Sequence, residues 1–291
     1  MDSFPGRPVQ FTLVARGRLV VPSTLPVEIS VDQSQSPSQS HAPRPSAHSE
    51  DKLPRTVGRV RTVLVGSIQT SSRPGHWTGI DKKPVEHEVL VSVSGLADDA
   101  QGDTAIHGGV DKAVHAYPWS HYPHWRNALA RNSRATQLLN APGAFGENLS
   151  VEGLADEVLD ERAICLGDQW RVGATTVLEI SQGRQPCWKL NDRFEQRDMA
   201  AQLQHSLRAG WYLRVLKSGP VKAGDLIVLL RRPYPEWSIA RLLELIDRRT
   251  TETSTLREVL TLPLPDSWRR LFARRLASGE AEAWERRLDG P

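Results

Sequence analysis

The residue whose surroundings most favour chemistry is Cys187, in the run Gln182-Gly183-Arg184-Gln185-Pro186-Cys187-Trp188-Lys189-Leu190. The run lies at the predicted exit from a strand, and loops at strand ends are where rigid scaffolds hold functional side chains. Arg184 and Lys189 flank the thiol, and neighbouring cations favour the thiolate, the form that attacks electrophiles and binds metals. The competing reading is an ordinary buried thiol. Cys165, between Ile164 and Leu166, fits that reading well, whereas Cys187, set among proline, tryptophan and cations, fits it poorly.

A second segment, residues 98 to 114, is dense in small and polar residues. Gly108 and Gly109 follow His107 and allow close backbone approach to a ligand, while Asp99, Asp103 and His107 can supply hydrogen bonds or protons. A polar turn between strands accounts for the same composition. Phe145-Gly146-Glu147-Asn148-Leu149 is another glycine-punctuated turn, carrying a carboxylate and an amide. His115, His121 and His124 match no standard zinc spacing, and Tyr117, Trp119, Tyr122 and Trp125 around them point to aromatic packing.

The elements that must position these residues read mainly as short strands. Val57 to Ile68 is β-branched, Glu88 to Val93 alternates, Gln169 to Ile180 reads as a hairpin, and Trp211 to Leu216 and Leu226 to Leu230 add two further strands. Gly167-Asp168 and Gly224-Asp225 repeat one turn chemistry. Helical periodicity interrupts at Tyr122 to Leu139 and at Lys189 to His205. After Pro233 the texture changes, and Ile239 to Arg249, Thr253 to Leu260 and Asp266 to Leu276 each carry apolar residues at helical spacing. The arginines at 269, 270, 274 and 275 read as a solvated helix face rather than a nucleic-acid surface. Residues 22 to about 54, rich in Ser, Pro, Gln and His, read as disordered. The chain therefore divides into an extension at 1–55, a β-rich domain at 56–232 and a helical module at 236–289.

Composition narrows the classes. Of 291 residues, 37 are Lys or Arg and 34 Asp or Glu, a net charge of +3 that argues for neither a stable nucleic-acid coat nor an acidic-lipid binder. Two cysteines in unlike contexts give no disulfide framework and point to a reducing, cytoplasmic setting. No apolar run approaches a membrane span, and Arg16 and Arg18 break the one N-terminal segment that could resemble a secretory signal.

Taken in order, His107-Gly-Gly, Phe145-Gly-Glu-Asn-Leu, Gly167-Asp168 and Arg184-Gln-Pro-Cys187-Trp-Lys-Leu, preceded by Thr78-Gly79-Ile80-Asp81-Lys82, resemble the MOSC domain in its YiiM-type subgroup. The resemblance covers about residues 58 to 232, and residues 238 to 288 look like the three-helix module that often follows it. It implies an α+β protein: a β-barrel-like domain followed by a small all-α module. It also implies a pterin-based molybdenum cofactor (molybdopterin), with the metal held by the thiolate at Cys187. Lys82, Arg184 and Lys189 are implied contributors to a basic cofactor cleft, with Asn148 as a hydrogen-bonding partner. The implied reaction is reduction of small N-hydroxylated compounds such as hydroxylaminopurine-like bases. His107, oriented by Asp103, would manage the proton, or both residues would merely brace the cofactor loop. Ala100 stands where many relatives carry a polar residue, so no role is carried to it. The chain has no ferredoxin cysteine set and no dinucleotide fingerprint, so a separate reductase is the expected electron donor. A sulfur carrier using a Cys187 persulfide is the alternative, and a Cys187–His107–Asp103 hydrolase ranks last because no oxyanion-hole motif accompanies it.

Overall fold

A computed structural model describes residues 53–100, 108–155 and 157–290. Seven strands form the body: β1 (Arg55–Val65), β2 (Val114–Pro118), β3 (Leu149–Glu152), β4 (Gln169–Val172), β5 (Thr176–Gly183), β6 (Trp211–Lys217) and β7 (Leu226–Arg231). Their order is β7-β4-β5-β6-β2-β3-β1, and β1 pairs back onto β7, with Arg59 opposite Leu226, so the sheet closes into a barrel. Closure leaves no open edge among these strands. β2 and β3 run parallel, Ala116 facing Leu149, and the other pairings are antiparallel. The hairpin expected from Gln169 onward is β4–β5, with Thr176 opposite Val172.

Side-chain alternation gives the wall two faces. Val114 and Ala116 of β2, Leu178 and Ile180 of β5, and Trp211 and Leu213 of β6 join the main apolar cluster. On the outer side Tyr117 joins a second cluster with Tyr122, Trp125, Phe145, Leu190, Phe194, Met199 and Leu203.

That second cluster sits beneath helices that the sequence reads as two and the structure divides into four. Residues 122–139 form α1 (Tyr122–Ala128) and α2 (Ser133–Leu138), because the Asn132 side chain caps the second helix by accepting the Ala135 amide at 2.8 Å. Residues 189–205 form α3 (Lys189–Phe194) and α4 (Met199–His205), separated at Glu195, whose φ of 49° ends the first helix in a left-handed turn.

The module comprises α5 (Ile239–Asp247), α6 (Thr253–Leu260), α7 (Asp266–Ser278) and a short α8 (Glu285–Leu288) that the periodicity does not reveal. Ile239, Leu242, Leu256, Trp268 and Phe272 share one continuous apolar cluster with the barrel. Backbone bonds from Leu166 to Trp237 and from Ile239 to Ile164, both 3.0 Å, stitch the junction. One arginine departs from the solvated-face reading. Arg275 is fully buried, because it lies three residues after Phe272 and seven after Trp268 on the inward stripe. Its guanidinium bonds both Glu282 oxygens at 2.8 Å and the carbonyls of Leu245 and Ile246. Among the described residues no helix is long and apolar enough to cross a membrane.

Candidate functional site

The site forms on the outer wall of the barrel, where the loop after β5, the start of β3 and the segment 78–82 converge. Cys187 lies in the loop between β5 and α3, as its neighbours predicted, and its thiol is half-buried and free of any disulfide. It opens on a cleft of about 580 Å³ that is continuous with solvent. Lys82, Asp99, Lys112, His115, Asn148, Arg184, Lys189 and Tyr212 line the same cleft, with Thr78, Gly79, Ile80 and Gly146. The other cysteine, Cys165, is buried, and desolvation first and the Asp168 carboxylate second push its thiol up to about 12.

His115 and Tyr212 face one another across the β2–β6 pairing, and their ring centroids are 5.1 Å apart. Val114, Ala116, Trp211 and Leu213 turn inward, so these two rings turn outward to the cleft. His115 Nδ1 lies 3.3 Å from the Gly146 carbonyl. Burial first, and the nearby Arg184 charge second, hold its imidazole well below the ordinary histidine value, so it stands neutral. Burial likewise raises Tyr212, against the opposing pull of Arg184.

Asn148, Lys82 and Asp99 form the cleft's anchored side. Asp99 takes the Gly66 amide at 2.9 Å, the Asn148 side-chain amide at 2.8 Å and the Lys82 ammonium. Asn148 also accepts the His115 amide at 3.1 Å and donates to the Leu64 carbonyl at 3.3 Å. Lys82 is drawn below the usual lysine range by burial, and Asp99 opposes that shift. Of the residues expected to face a cofactor, Lys82 therefore reaches the cleft as half of a buried ion pair, and Asn148 as the brace of that pair.

Arg184 is different. It follows β5 directly, is 7% exposed, bonds the Phe145 carbonyl at 2.9 Å, and has no carboxylate within ion-pair distance among the described residues. A buried guanidinium held by a neutral acceptor keeps its charge available to an anion. Lys189 is partly exposed, with Nζ bonded to the Trp77 carbonyl at 2.7 Å. Lys112, which the sequence reading did not single out, stands at the end of a 3-10 turn leading into β2. Burial lowers its amine, while Asp111 and Cys187 oppose that shift. Its position two residues before the strand carrying His115 was the only available signal.

Gly146 lets the Phe145–Asn148 turn close over this site. Its φ is 73°, and a Cβ there would lie 2.6 Å from Ile80 Cγ1. Glu147 fastens the turn from inside by accepting the amides of Gly143 at 2.8 Å and Phe145 at 3.1 Å. His121 and His124 do not join His115 there: His121 bonds the buried Glu161 at 2.7 Å, and His124 packs on Trp125. His107 and Asp103 lie outside the described residues, as does the extension up to Lys52.

The donor set fits a cofactor-borne metal. Among the described residues no group of three His, Cys, Asp or Glu side chains could hold a bare ion, so a metal at Cys187 needs its other ligands from a carrier. Arg184, Lys112 and Lys189 suit an anionic carrier.

The sequence profile of the MOSC domain matches residues 103–228, and that of the YiiM-like, 3-alpha helix domain matches residues 237–279. A protein named "Reductase" from Gibberella moniliformis is 36% identical over 222 residues, 76% of this chain. The chain spans only 36% of that relative's length. Protein YiiM of Escherichia coli is 32% identical over 229 residues, covering 78% of this chain and 97% of YiiM. The crystal structure of YiiM from Escherichia coli superposes with a TM-score of 0.65 at 28% identity, over 80% of this chain and 99% of that one. The chain thus matches YiiM over nearly its whole length in both sequence and fold, and it belongs to the MOSC family in its YiiM-like, 3-alpha branch.

Proposed function

We propose that the cleft holds a molybdenum cofactor with the Cys187 thiolate as its protein ligand, and that the protein reduces N-hydroxylated compounds. The observation that carries this reading is the opening of a thiol outside any disulfide onto a cation-lined cleft that lacks a self-sufficient metal-ligand set among the described residues. MOSC domains are associated with molybdenum cofactor binding, and the "Reductase" name of the Gibberella moniliformis relative supports an oxidoreductase class.

In this reading Arg184 and Lys112 hold the anionic part of the cofactor, with Lys189 at the mouth, because buried or half-buried cations bind anions more strongly than solvated ones. The Lys82–Asp99–Asn148 cluster fixes the opposite wall and keeps His115 in register. When bound, the cofactor supplies electrons: conversion of R–NHOH to R–NH2 and water takes two electrons and two protons. His107, oriented by Asp103, would provide protons from the segment leading into Gly108. The electrons come from a separate reductase.

The test is molybdenum and pterin analysis of wild type and Cys187→Ala from a cofactor-competent host, followed by reduction assays on hydroxylaminopurines. Stoichiometric molybdenum in the wild type, lost with the cysteine, is the expected result. Molybdenum that persists in the variant removes Cys187 as ligand. Its absence from a properly loaded wild type points instead to sulfur transfer through a persulfide.

A further inference from the structure

The loop carrying Cys187 is gripped on both sides by one residue a hundred positions further along the chain. Arg287, in α8, donates from Nη1 to the Pro186 carbonyl at 2.5 Å, and its own backbone carbonyl accepts the Trp188 amide at 2.8 Å. The residues immediately before and after the thiol are thereby tied to the same arginine. The second arm of the guanidinium, Nη2, bonds Gln204 Oε1 at 2.5 Å, which anchors the clamp to α4.

Neighbouring contacts add to it. Asn191 donates to the Leu288 carbonyl at 2.7 Å, and Trp268 Nε1 donates to Gln185 Oε1 at 3.2 Å. Arg73 stacks over the Trp188 ring at 4.4 Å while bonding the Asp289 carbonyl at 2.9 Å. Arg287 has no carboxylate within ion-pair distance among the described residues, and its charge is close enough to Cys187 for the two to interact. Arg286 beside it points to solvent, so the inward turn is particular to position 287.

We infer that Arg287 is a positioning residue for Cys187, so that the C-terminal module sets how the thiol is presented to the cleft. Only the φ and ψ of Cys187 lie between the held Pro186 carbonyl and the held Trp188 amide, and a stretch that short pinned at both ends retains little freedom. Without the guanidinium only the Trp188 side stays pinned, and the thiol samples orientations that do not face the cleft. The importance of that orientation rests on the metal-ligand reading above; the clamp itself does not.

The test measures the rate at which an aromatic disulfide reagent modifies the thiol in full-length, cofactor-free protein. Cys165 is 3% exposed, so the signal belongs to Cys187, and its loss in Cys187→Ala verifies the assignment. Arg287→Met is expected to accelerate modification by about five-fold or more. Arg287→Lys, which keeps one donor for the Pro186 carbonyl, is expected to recover most of the wild-type rate, and Gln204→Met to give a smaller acceleration in the same direction. Molybdenum retained after gel filtration should fall in Arg287→Met and return in Arg287→Lys. Should Arg287→Met fail to fold, Gln204→Met carries the test. A thiol rate within about two-fold of wild type in both Arg287→Met and Gln204→Met, with only the melting temperature lowered, overturns the clamp and leaves Arg287 as simple packing. Unchanged molybdenum in Cys187→Ala would instead remove the ligand reading, and the thiol rates would still judge the clamp.

Discussion

Asn148 gives a side-chain N–H to Asp99 Oδ2 at 2.8 Å, and Asp99 in turn holds the buried Lys82 ammonium on its other oxygen. Through Asn148 Oδ1 the same cluster reaches the backbone of β2 at His115. The three residues come from separate segments of the chain and form one unit in the wall of the cleft.

Asp99→Asn is therefore expected to destabilise the protein by about 3–5 kcal/mol, because it strands a buried cation. Removing both partners in Asp99→Asn with Lys82→Met should recover more than half of that loss, as read by urea unfolding of the two variants. A double variant no more stable than the single one would show that Lys82 does not depend on Asp99.

Arg184→Met tests the anion site. The substitution removes a buried charge without stranding a carboxylate among the described residues, so unfolding stability should stay within about 1 kcal/mol of wild type. Affinity for inorganic phosphate or pyrophosphate, read by titration calorimetry, should fall about ten-fold or more through the loss of charge-assisted hydrogen bonds. An unchanged affinity would mean that the guanidinium does not reach the ligand.

Gly146→Ala should cost about 2 kcal/mol or more, combining a left-handed backbone with the 2.6 Å approach to Ile80. Since Gly146 and Ile80 both line the cleft, ligand affinity should drop as well, and thermal melts with and without ligand separate the two effects.

Glu282→Gln tests the buried Arg275. Burial alone would raise the Glu282 carboxyl, but the hydrogen bonds from Arg275 and Trp284 outweigh it and hold the group below the ordinary carboxylate range. A carboxylate depressed in the folded state contributes stability that is present above its unfolded value, near pH 4.5, and is lost as pH falls through the folded one. The variant should be less stable at pH 7 by about 2 kcal/mol, and the gap to wild type should narrow progressively as pH falls below the ordinary carboxylate range. A gap independent of pH would assign the effect to packing.

Features governed by near neighbours were legible in the chain itself. The β4–β5 hairpin, the loop position of Cys187, the burial of Cys165 and the extent of α6 all follow from turn residues, alternation and periodicity within a few positions. The long helical runs were visible too, but their breaks at Asn132 and Glu195 were not, since a cap and a left-handed turn become favourable only when the flanking helices have surfaces to pack on.

The amino-acid order thus determined a β-rich domain, a helical module and a cysteine set among cations. Tertiary packing decided the rest. It made Lys82 the partner of Asp99, turned Lys112 and Tyr212 to the thiol, buried Arg275 within the helical module and placed Arg287 against the Cys187 loop. Pro186 and Arg287 are 101 residues apart, and no local propensity encodes a contact of that separation. It exists because two apolar faces, neither stable in water alone, become one core.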